Sequence, residues 1–510
     1  MKKILKLAFS RAAFVALFMM LQVAVITMTL TYFKNTMAYF YTFFIILSLL
    51  VVVYILNDEG NPAYKIAWII PILILPIFGT PLYFMFGRTR LTENQSARVV
   101  NIQSRYESAV ASVRSRGKEL GAISRDAFLQ SSYLERIAAA PVYTRTETEF
   151  FPLGEDMYPV LLEELEKAQK FIFMEYFILA PGKMWNSVLD ILVRKAAQGV
   201  DVRVIYDDMG CIMTLPRNYC ERLEKMGIKC CVFRRFRPVL SGSFNYRDHR
   251  KICVVDGAAA FTGGINLADE YINAIERFGH WRDTAVLLRG DAAYSFTSLF
   301  LSMWDYIRHS DDDFSFYAPA PEALPEKGDG FVQPYADTPM DNEAVGEAAY
   351  ISMISRAKRY VYITTPYLVV GSELMSALET AAKSGVDVRI ITPGIPDKKA
   401  VFAVTRSYYT GLIRAGVRIY EYTPGFIHSK TFVCDDEYAI CGTINLDYRS
   451  LYLNYECAAW MYRTKAVTQI RDSFADILPV CTEITAEYCR SRSGLTRLWQ
   501  SLLRVFAPVM

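Results

Sequence analysis

The sequence predicts a membrane-anchored α/β protein in which N-terminal transmembrane helices precede two repeated α/β/α sandwich halves. Three observations predict this fold class: apolar stretches confined to residues 1–90, an internal repeat of strand and helix patterns, and one histidine motif in each repeat. A chain of 510 residues has room for two or three domains. Its net charge of +3 does not favour a nucleic-acid partner.

The N-terminal region, residues 1–90, contains three apolar stretches at residues 12–31, 37–56 and 66–86. Each is about long enough to cross a hydrocarbon core of ~30 Å as a helix. Lysines before the first stretch also allow a secretory signal, but the run is long, lacks a clear small-residue cleavage site and is followed by further apolar stretches. The third stretch contains three prolines, which predict a kinked or re-entrant segment.

The orientation in the membrane is less constrained. Basic residues flank both the N-terminus and the end of the third stretch, so both ends favour the cytoplasm. Three crossings cannot satisfy both ends, so either one stretch does not cross or the N-terminus lies outside. We expect a multi-pass membrane protein with a cytoplasmic catalytic domain. The ten cysteines agree with this, because several lie in apolar, strand-like runs typical of reduced core residues.

Two flanking segments are predicted to be helical. Residues 91–140 are polar and arginine-rich, which indicates a juxtamembrane helical linker, either solvated or attracted to anionic lipid. In residues 491–510, apolar side chains recur at helical spacing against arginines. This pattern predicts an amphipathic helix that lies in the membrane interface or docks on the domain core.

The chain between these segments repeats itself with an offset of about 180 residues. In each copy a strand pattern leads through a helix to the sequence Gly-Val-Asp-Val-Arg and a second strand. This alternation predicts two α/β halves with central sheets, at residues 141–315 and 341–490, joined by a Pro-rich linker at residues 316–340. We expect the halves to meet about a pseudo-twofold axis, with one active site between them.

Two of the four histidines open the same motif, one in each half. On an extended strand, residues i and i+2 share a face, so each histidine shares a face with a lysine. A single His-x-Lys sequence is too common to indicate a catalytic site, but two copies of the motif with the same spacing do indicate one. The candidate catalytic residues are His249, Lys251 and Asp256 in the first motif and His428, Lys430 and Asp435 in the second.

These residue types suit phosphodiester chemistry without a metal or another cofactor. Two lysines and two amides can hold the charged oxygens of a diester, while one neutral imidazole attacks phosphorus and a second, protonated, donates to the departing oxygen. Each histidine also needs an acceptor for its other ring nitrogen, and Asp283 and Glu456, about thirty residues after their respective histidines, are candidates. The candidate substrate-binding residues are Gly264, Asn266, Thr443 and Asn445.

The paired motifs resemble those of the phospholipase D superfamily, and several further segments are similar to bacterial cardiolipin synthases. These segments are Glu-Tyr-Phe-Ile at 175–178, Tyr-Asp-Asp-Met-Gly at 206–210, Gly-Gly-Ile-Asn at 263–266 with Asp-Glu-Tyr at 269–271, Asn-Leu-Asp-Tyr-Arg-Ser at 445–450, and Asn-Pro-Ala-Tyr-Lys-Ile-Ala-Trp-Ile at 61–69.

The resemblance covers most of the chain from about residue 61 and implies a protein of the bacterial cell membrane with membrane phospholipids as partners. It implies transfer of a phosphatidyl group between two phosphatidylglycerols, giving cardiolipin and glycerol through a phosphohistidine, with His249 as nucleophile and His428 as acid and base. The family pattern has two membrane spans, whereas this sequence has the additional stretch at residues 12–31. The oligomeric state is not implied.

Other functions use the same residue types. A hydrolase of the superfamily would use water as the acceptor, and a related transferase would use another alcohol. A nuclease is a different class, for which the basic cluster at residues 234–237 is the supporting feature and the apolar stretches are the opposing one. A binding-only scaffold with a decayed site conflicts with the complete motif in both halves.

Overall fold

The computed structural model describes residues 36–58, 60–87, 93–111, 113, 115–235, 246–341 and 343–509, together with residues 20, 24 and 27. The predicted apolar stretch at residues 12–31 therefore lies outside the described residues except at three positions. The described chain divides into two compact units. One contains the described residues up to Gly87, and the other comprises Glu93–Arg235 and Tyr246–Ala507.

The first unit contains helices α1 (Thr36–Leu56), α2 (Pro62–Ile74) and α3 (Pro76–Leu82), followed by a π-helical turn at Tyr83–Gly87. Asn61 begins α2, because its side chain accepts a hydrogen bond from the Ala63 amide at 2.9 Å. Pro76, the first residue of α3, follows the end of α2, so the third apolar stretch is interrupted at Pro76, while Pro71 and Pro81 lie inside the helices. Among the described residues, no helix is long and apolar enough to cross a membrane.

The second unit begins with helices α4 (Glu93–Ala111), α5 (Gly117–Ile123) and α6 (Arg125–Ile137). Arg105 on α4 forms an ion pair with the buried Asp305 at 2.6 Å. The segment predicted as a juxtamembrane linker is therefore helical, and it packs against the α/β halves.

The first half is built on a seven-stranded sheet in the order β1-β9-β7-β6-β2-β3-β4. Its strands are β1 (Thr146–Phe151), β2 (Phe171–Tyr176), β3 (Asp201–Asp207), β4 (Lys229–Phe233), β5 (Arg247–Asp248), β6 (Lys251–Val255), β7 (Ala259–Gly263), β8 (His280–Arg282) and β9 (Ala285–Gly290). Its helices are α7 (Gly154–Lys167), α8 (Lys183–Ala197), α9 (Asp208–Cys211), α10 (Tyr219–Lys225) and α11 (Ala293–Arg308).

The second half is built on a sheet in the order β10-β19-β17-β16-β11-β13-β14-β20. Its strands are β10 (Phe331–Asp337), β11 (Tyr360–Thr364), β12 (Leu368–Val369), β13 (Asp387–Pro393), β14 (Arg418–Tyr422), β15 (Gly425–Ile427), β16 (Thr431–Cys434), β17 (Tyr438–Gly442), β18 (Leu446–Asp447), β19 (Asn454–Tyr462) and β20 (Cys481–Ile484). Its helices are α12 (Val345–Arg356), α13 (Ser372–Lys383), α14 (Lys399–Ala415), α15 (Tyr448–Tyr452), α16 (Lys465–Ile477), α17 (Ala486–Ser491) and α18 (Gly494–Val505).

Strand β10 lies inside the stretch predicted as a linker, which is therefore shorter than residues 316–340. The strand pairs antiparallel with β19 at the edge of the second sheet. An edge position tolerates Pro334, which has no amide hydrogen to donate to a ladder. The proline-rich composition therefore concealed a strand.

The two halves have equivalent strand registers and share a hydrophobic core. In the first half Glu175 of β2 pairs with Ile252 of β6, the residue after Lys251, and in the second Thr364 of β11 pairs with Thr431 of β16, the residue after Lys430. Buried residues of both sheets belong to one cluster, together with residues of α11 and α16. The predicted duplication is therefore present as two matching sheets in one compact unit.

Two short strands cross between the halves. Strand β5 of the first half pairs in parallel with the start of β19, so that Asp248 lies opposite Tyr455. Strand β15 of the second half pairs in parallel with β8, so that Ile427 lies opposite Arg282. In each half, the residues immediately before the motif histidine are therefore hydrogen-bonded to a strand of the opposite half.

The C-terminal helix α18 has one docked face and one exposed face. The Arg504 guanidinium lies 4.0 Å from the centre of the Tyr408 ring on α14, and the buried Gln500 accepts a hydrogen bond from Arg492 at 3.2 Å. The other face is apolar and exposed, with Leu495, Leu498, Trp499 and Leu502. The helix thus docks on the domain core and still presents an apolar surface.

Candidate active site

The two motif histidines enter the site from the ends of the crossing strands. His249 follows β5, and its backbone amide donates a hydrogen bond to the carbonyl oxygen of Tyr455 at 3.0 Å. His428 follows β15, and its amide donates to the carbonyl oxygen of Arg282 at 2.7 Å. Each histidine backbone is therefore fixed to the opposite half, immediately before that half's buried carboxylate.

The histidine side chains pair with carboxylates across the halves. The Nδ1 atom of His249 lies 2.9 Å from Oε1 and 3.0 Å from Oε2 of Glu456. The Nδ1 atom of His428 lies 2.6 Å from Oδ2 of Asp283. The order along the sequence suggested that each carboxylate belongs with the histidine of its own half, but the structure exchanges the two partners.

Two of the predicted substrate-binding residues instead support these carboxylates. The Thr443 hydroxyl donates to Oε2 of Glu456, and Asn454 donates to Oε1 at 3.2 Å. At Gly264, an added Cβ would lie 2.0 Å from Oδ1 of Asp283. Thr443 therefore holds one carboxylate, and the missing side chain of Gly264 makes room for the other.

The two lysines lie directly beside the histidines, on the shared strand face that the spacing predicts. The ammonium of Lys251 donates to the carbonyl oxygen of His249, and that of Lys430 donates to the carbonyl oxygen of His428. The Nζ atom of Lys430 also lies 2.8 Å from Nδ1 of His428. Both lysines are only 1% exposed, so the site concentrates positive charge in a dry environment.

Burial controls the protonation of these basic groups. It lowers the pKa of Lys251 to about 7 and that of Lys430 to about 8, although nearby carboxylates oppose the shift. Burial also lowers the pKa of His249 to about 4, against the opposing charge of Glu456. The pKa of His428 falls well below its usual value through burial and then through the charges of Lys430 and Lys251. This mutual influence places both motifs in one site.

The two carboxylates differ in protonation. Burial raises the pKa of Asp283 to about 7, because its neighbouring lysines only partly offset the loss of water. At Glu456 burial acts in the same direction, but His249, Lys251 and the Thr443 hydroxyl outweigh it and the net pKa is lowered. Glu456 is therefore ionised at neutral pH, whereas the Asp283–His428 pair retains a proton up to about pH 7.

The aspartates of the two motifs lie away from the histidines, at the far ends of β6 and β16. Asp256 accepts hydrogen bonds from the backbone amides of residues 169–171, at 2.8 Å each. Asp435 accepts equivalent bonds from residues 358–360. Both carboxylates therefore fix the start of the central strand that pairs with the motif strand, and neither is brought to the reacting groups.

The two predicted asparagines are not equivalent. Asn266 uses both ends of its amide, since Oδ1 accepts from the Ile178 amide at 2.9 Å and Nδ2 donates to the Tyr271 hydroxyl at 2.8 Å. Asn445 is 5% exposed, and its Oδ1 has no hydrogen-bond partner within the described part of the chain. Asn445 is thus the member of the pair with an amide oxygen available to a ligand.

The site also contains residues that the sequence analysis did not assign. The aromatic rings of Phe177 and Tyr271 lie 5.2 Å and 5.7 Å from the rings of His249 and His428, respectively. Behind His249, the buried Arg250 lies 3.5 Å from Glu175 and 3.8 Å from Asp248. The run of charged residues at 247–251, inside an otherwise apolar region, was the signal that could have revealed this second buried cluster. No group of metal-ligating side chains suited to an ion occurs in the described ranges.

Comparison with known proteins places this site in a family. Residues 161–304 and 350–478 match the family described as cardiolipin synthase, PLD-like domain, and residues 46–88 match the phospholipase D-nuclease N-terminal family. The chain belongs to the cardiolipin synthase family. The two segments that match the cardiolipin synthase family contain one histidine motif each, so the resemblance inferred from these motifs is confirmed.

Similar proteins extend along most of the chain. A cardiolipin synthase of Geobacillus sp. is 34% identical over 506 residues, which is 97% of this chain and 99% of the relative. A cardiolipin synthase of Alkalihalophilus pseudofirmus is 33% identical over 89% of this chain and 90% of its own. An uncharacterized protein of Streptococcus mutans is 43% identical over 90% of this chain and 99% of its own. The similarity therefore covers nearly the whole length of these family members.

A solved structure supports the fold. The phosphatidylserine synthase of Haemophilus influenzae aligns with a TM-score of 0.56 and 16% identity, covering 74% of this chain and 98% of its own. With the two matching family segments, this likeness confirms the predicted phospholipase D-like fold of two repeated halves.

Proposed function

We propose that this cardiolipin synthase family member transfers a phosphatidyl group from one phosphatidylglycerol to another, giving cardiolipin and glycerol through a phosphohistidine. The observation that carries this proposal is the crossed pair of buried histidines, each with Nδ1 held by a carboxylate of the opposite half. With Nδ1 occupied, Nε2 is the ring nitrogen left for chemistry. Relatives named cardiolipin synthase along most of the chain support the choice of substrate.

In the first step, Nε2 of His249 attacks the phosphorus of one phosphatidylglycerol. The ionised Glu456 accepts a hydrogen bond from the Nδ1–H of His249, which keeps the lone pair on Nε2 and stabilises the developing positive charge of the ring. The bond between phosphorus and the glycerol oxygen breaks, and that oxygen takes a proton from His428. The Asp283–His428 pair supplies this proton, because it retains one near neutral pH.

In the second step, the headgroup hydroxyl of another phosphatidylglycerol attacks the phosphohistidine. Its proton passes to Nε2 of His428, the new phosphorus–oxygen bond forms, and the phosphorus–nitrogen bond to His249 breaks. Cardiolipin leaves, and both histidines return to their starting protonation. The difference between the carboxylates therefore supports His249 as nucleophile and His428 as acid and base.

The lysines bind the charged oxygens of the diester throughout. Lys251 and Lys430 are adjacent to the two histidines and almost fully buried, so their ammonium groups act where the dielectric constant is low. Asp256 and Asp435 act as positioning residues, since they hold the strands that neighbour the motif strands.

We further propose that the protein acts at the bacterial cell membrane, with its N-terminal unit and helix α18 in contact with lipid and its catalytic unit on the cytoplasmic side. Large apolar side chains of α1 are exposed, including Phe43, Ile46 and Leu50. Helix α18 exposes a similar face with Trp499. Contact with lipid would remove these surfaces from water.

The test is an assay of the purified full-length chain in phosphatidylglycerol vesicles, in which cardiolipin and free glycerol are both measured. Wild type should release them in equal amounts. His249→Ala and His428→Ala should each lower the rate by about a thousandfold or more, because each removes a reacting group. With donor lipid labelled in the phosphatidyl moiety, His428→Ala should still accumulate some labelled protein, and His249→Ala none.

The matched control is His309→Asn, at the exposed C-terminal end of α11 outside the site, which should keep the wild-type rate. Phosphatidic acid in place of cardiolipin would mean that water is the acceptor and would contradict the synthase function. Full activity of either active-site variant would contradict the single-site mechanism.

A further inference from the structure

The two halves place equivalent backbone positions at the site but give them different side chains. A parallel bridge joins Leu179 to Leu267 in the first half, and the pair Leu368–Leu446 is its equivalent in the second. The neighbouring positions therefore correspond as well. Those pairs, first half then second, are Ile178 and Tyr367, Asn266 and Asn445, and Ala268 and Asp447.

Polar atoms are available in the second half alone among these equivalent positions. Asn266 is hydrogen-bonded at both ends of its amide, whereas Oδ1 of Asn445 has no partner among the residues described. Oδ1 of Asp447 is likewise buried and unpartnered there. A buried polar atom without a hydrogen-bond partner destabilises the folded state, so such an atom usually binds a ligand or a water molecule.

Asn445 and Asp447 face the same side of the chain. They lie two residues apart on an extended segment, and Leu446 between them points into the core with 1% exposure. Tyr367 lies beside them, and its hydroxyl donates to Oδ2 of Asp397 at 2.6 Å. Because that proton is engaged, the Tyr367 oxygen is also presented as an acceptor.

This group of acceptors lies on the His428 side of the site. The Leu446 amide donates a hydrogen bond to the Thr365 hydroxyl at 3.3 Å, and the neighbouring Thr364 hydroxyl accepts one from Ser429, which lies between His428 and Lys430, at 2.8 Å. The charges of Asp447 and Asp397 also act on Lys430 and oppose the lowering of its pKa by burial. The charge of Asp447 also acts on Tyr367. On the His249 side the neighbour is the apolar ring of Phe177, 5.2 Å from the imidazole.

We propose that Asn445, Asp447 and Tyr367 form a polyol subsite that accepts hydrogen bonds from the hydroxyl groups of the glycerol headgroup. The inference rests on the proposed function and deepens it, because it names the group that recognises the alcohol. The subsite holds the glycerol that leaves in the first step, and then the headgroup that attacks in the second. In the first step the two headgroup hydroxyls that are not bonded to phosphorus donate to two of these acceptors. In the second step the one hydroxyl that neither attacks nor is esterified donates to one of them, and in both steps the reacting oxygen stays next to His428.

The subsite predicts that an alcohol with neighbouring hydroxyls is preferred over a simple alcohol. A site built to hydrogen-bond a hydroxyl group discriminates strongly against an analogue that lacks it, because its own buried polar atoms are then left unpaired. The preference therefore depends on the second half alone, and removal of the acceptors lowers it without removing either histidine.

The experiment is an acceptor competition with full-length protein in phosphatidylglycerol vesicles. Isotopically labelled glycerol and 1-propanol, which has the same carbon chain and two hydroxyls fewer, are added at equal concentration. Labelled phosphatidylglycerol and phosphatidylpropanol are then measured. Wild type should favour glycerol, and Asp447→Leu and Asn445→Leu should each lower the product ratio by about tenfold, as expected for loss of one hydrogen bond to a buried acceptor.

Two further variants serve as a conservative substitution and as a surface control. Asp447→Asn conserves shape and one acceptor oxygen, so its ratio should lie between those of wild type and Asp447→Leu. Glu379→Ala, at the surface ion pair with Lys383 on α13, should keep the wild-type ratio. An unchanged ratio in the Asp447 and Asn445 variants, while wild type makes cardiolipin, would overturn the subsite. Absence of both cardiolipin and labelled phosphatidylglycerol with wild type would overturn the proposed function itself.

Discussion

The two active-site lysines are buried ammonium groups, and burial sets the pH at which they lose their charge. The pKa of Lys251 is lowered to about 7 and that of Lys430 to about 8, so both become neutral as the pH rises through these values. His249, with its pKa lowered to about 4, is already neutral and does not limit the rate in this range. We therefore expect kcat/KM for cardiolipin formation to fall on the alkaline side, beginning near pH 7.

The variant that tests this origin is Lys251→Arg, because arginine stays charged throughout the range. Its rate at neutral pH should drop about tenfold or more through altered geometry. Its alkaline fall should be less steep than that of wild type, because Lys251 no longer loses its charge while the Asp283–His428 pair and Lys430 still lose their protons. The measurement is the pH profile of kcat/KM in vesicles with dilute phosphatidylglycerol, for wild type and variant. An equally steep alkaline fall in both would mean that the charge of Lys251 does not contribute to it.

At the residue scale the sequence predicted which histidines and lysines lie together in the buried site, but not all the residues that support them. The spacing His-x-Lys was sufficient, because alternation on a strand fixes which side chains share a face. Alternation along the strand does not identify the partners of the residue at its far end. Asp256 is therefore predicted to be catalytic, whereas in the structure it accepts hydrogen bonds from backbone amides. Thr443 was missed as a support for Glu456, because a threonine near a phosphate-binding motif has no distinguishing pattern.

Among the elements, the crossing strands β5 and β15 determine the site. Each is very short, and neither has the alternating pattern of a longer strand, so no sequence pattern indicates which strands they pair with. Their pairing with β19 and β8 exchanges the carboxylates between the histidines. The longer buried strands were predictable from apolar runs, whereas β10 was concealed by its proline and by the acidic segment before it.

Helix α18 provides the prediction at this scale. Its exposed face includes Trp499, 58% exposed, and we expect this ring to enter the lipid interface. Tryptophan fluorescence is recorded in vesicles with and without brominated phosphatidylglycerol, a quencher confined to the bilayer. The component lost in Trp499→Phe should be strongly quenched.

The matched control for this helix is Trp460→Phe, because Trp460 is 1% exposed in the domain core and its component should remain unquenched. An unquenched Trp499 would mean that the apolar face of α18 does not touch the membrane. The sequence left membrane contact and docking on the core as alternatives, since an amphipathic pattern does not identify the surface it faces. The structure shows docking through Arg504 and Gln500 on one side only.

At the scale of the molecule, the duplication gives two equivalent backbones with unequal chemistry. The repeat of about 180 residues was sufficient to predict two halves and one shared site. It did not predict that His249 pairs with an ionised carboxylate, Glu456, whereas His428 pairs with one that retains a proton, Asp283. That difference arises from burial and from neighbouring charges, which come from both halves and are not visible in either motif alone.

Both halves of the site come from the same chain, which leads to a prediction about mixed variants. In each molecule the amide of His249 is bonded to the second half and that of His428 to the first, so both imidazoles belong to one folded unit. We therefore expect that His249→Ala and His428→Ala, purified separately and reconstituted together in phosphatidylglycerol vesicles, make no more cardiolipin than the sum of the two alone.

Wild type mixed with either variant is the control, and it should keep the rate of the wild-type fraction, which excludes inhibition by the inactive chain. Recovery of cardiolipin synthesis in the mixture of the two variants would mean that halves of different chains combine. In that case the crossing strands β5 and β15 would pair between molecules, because a histidine can reach the carboxylate of the opposite half only through that backbone pairing.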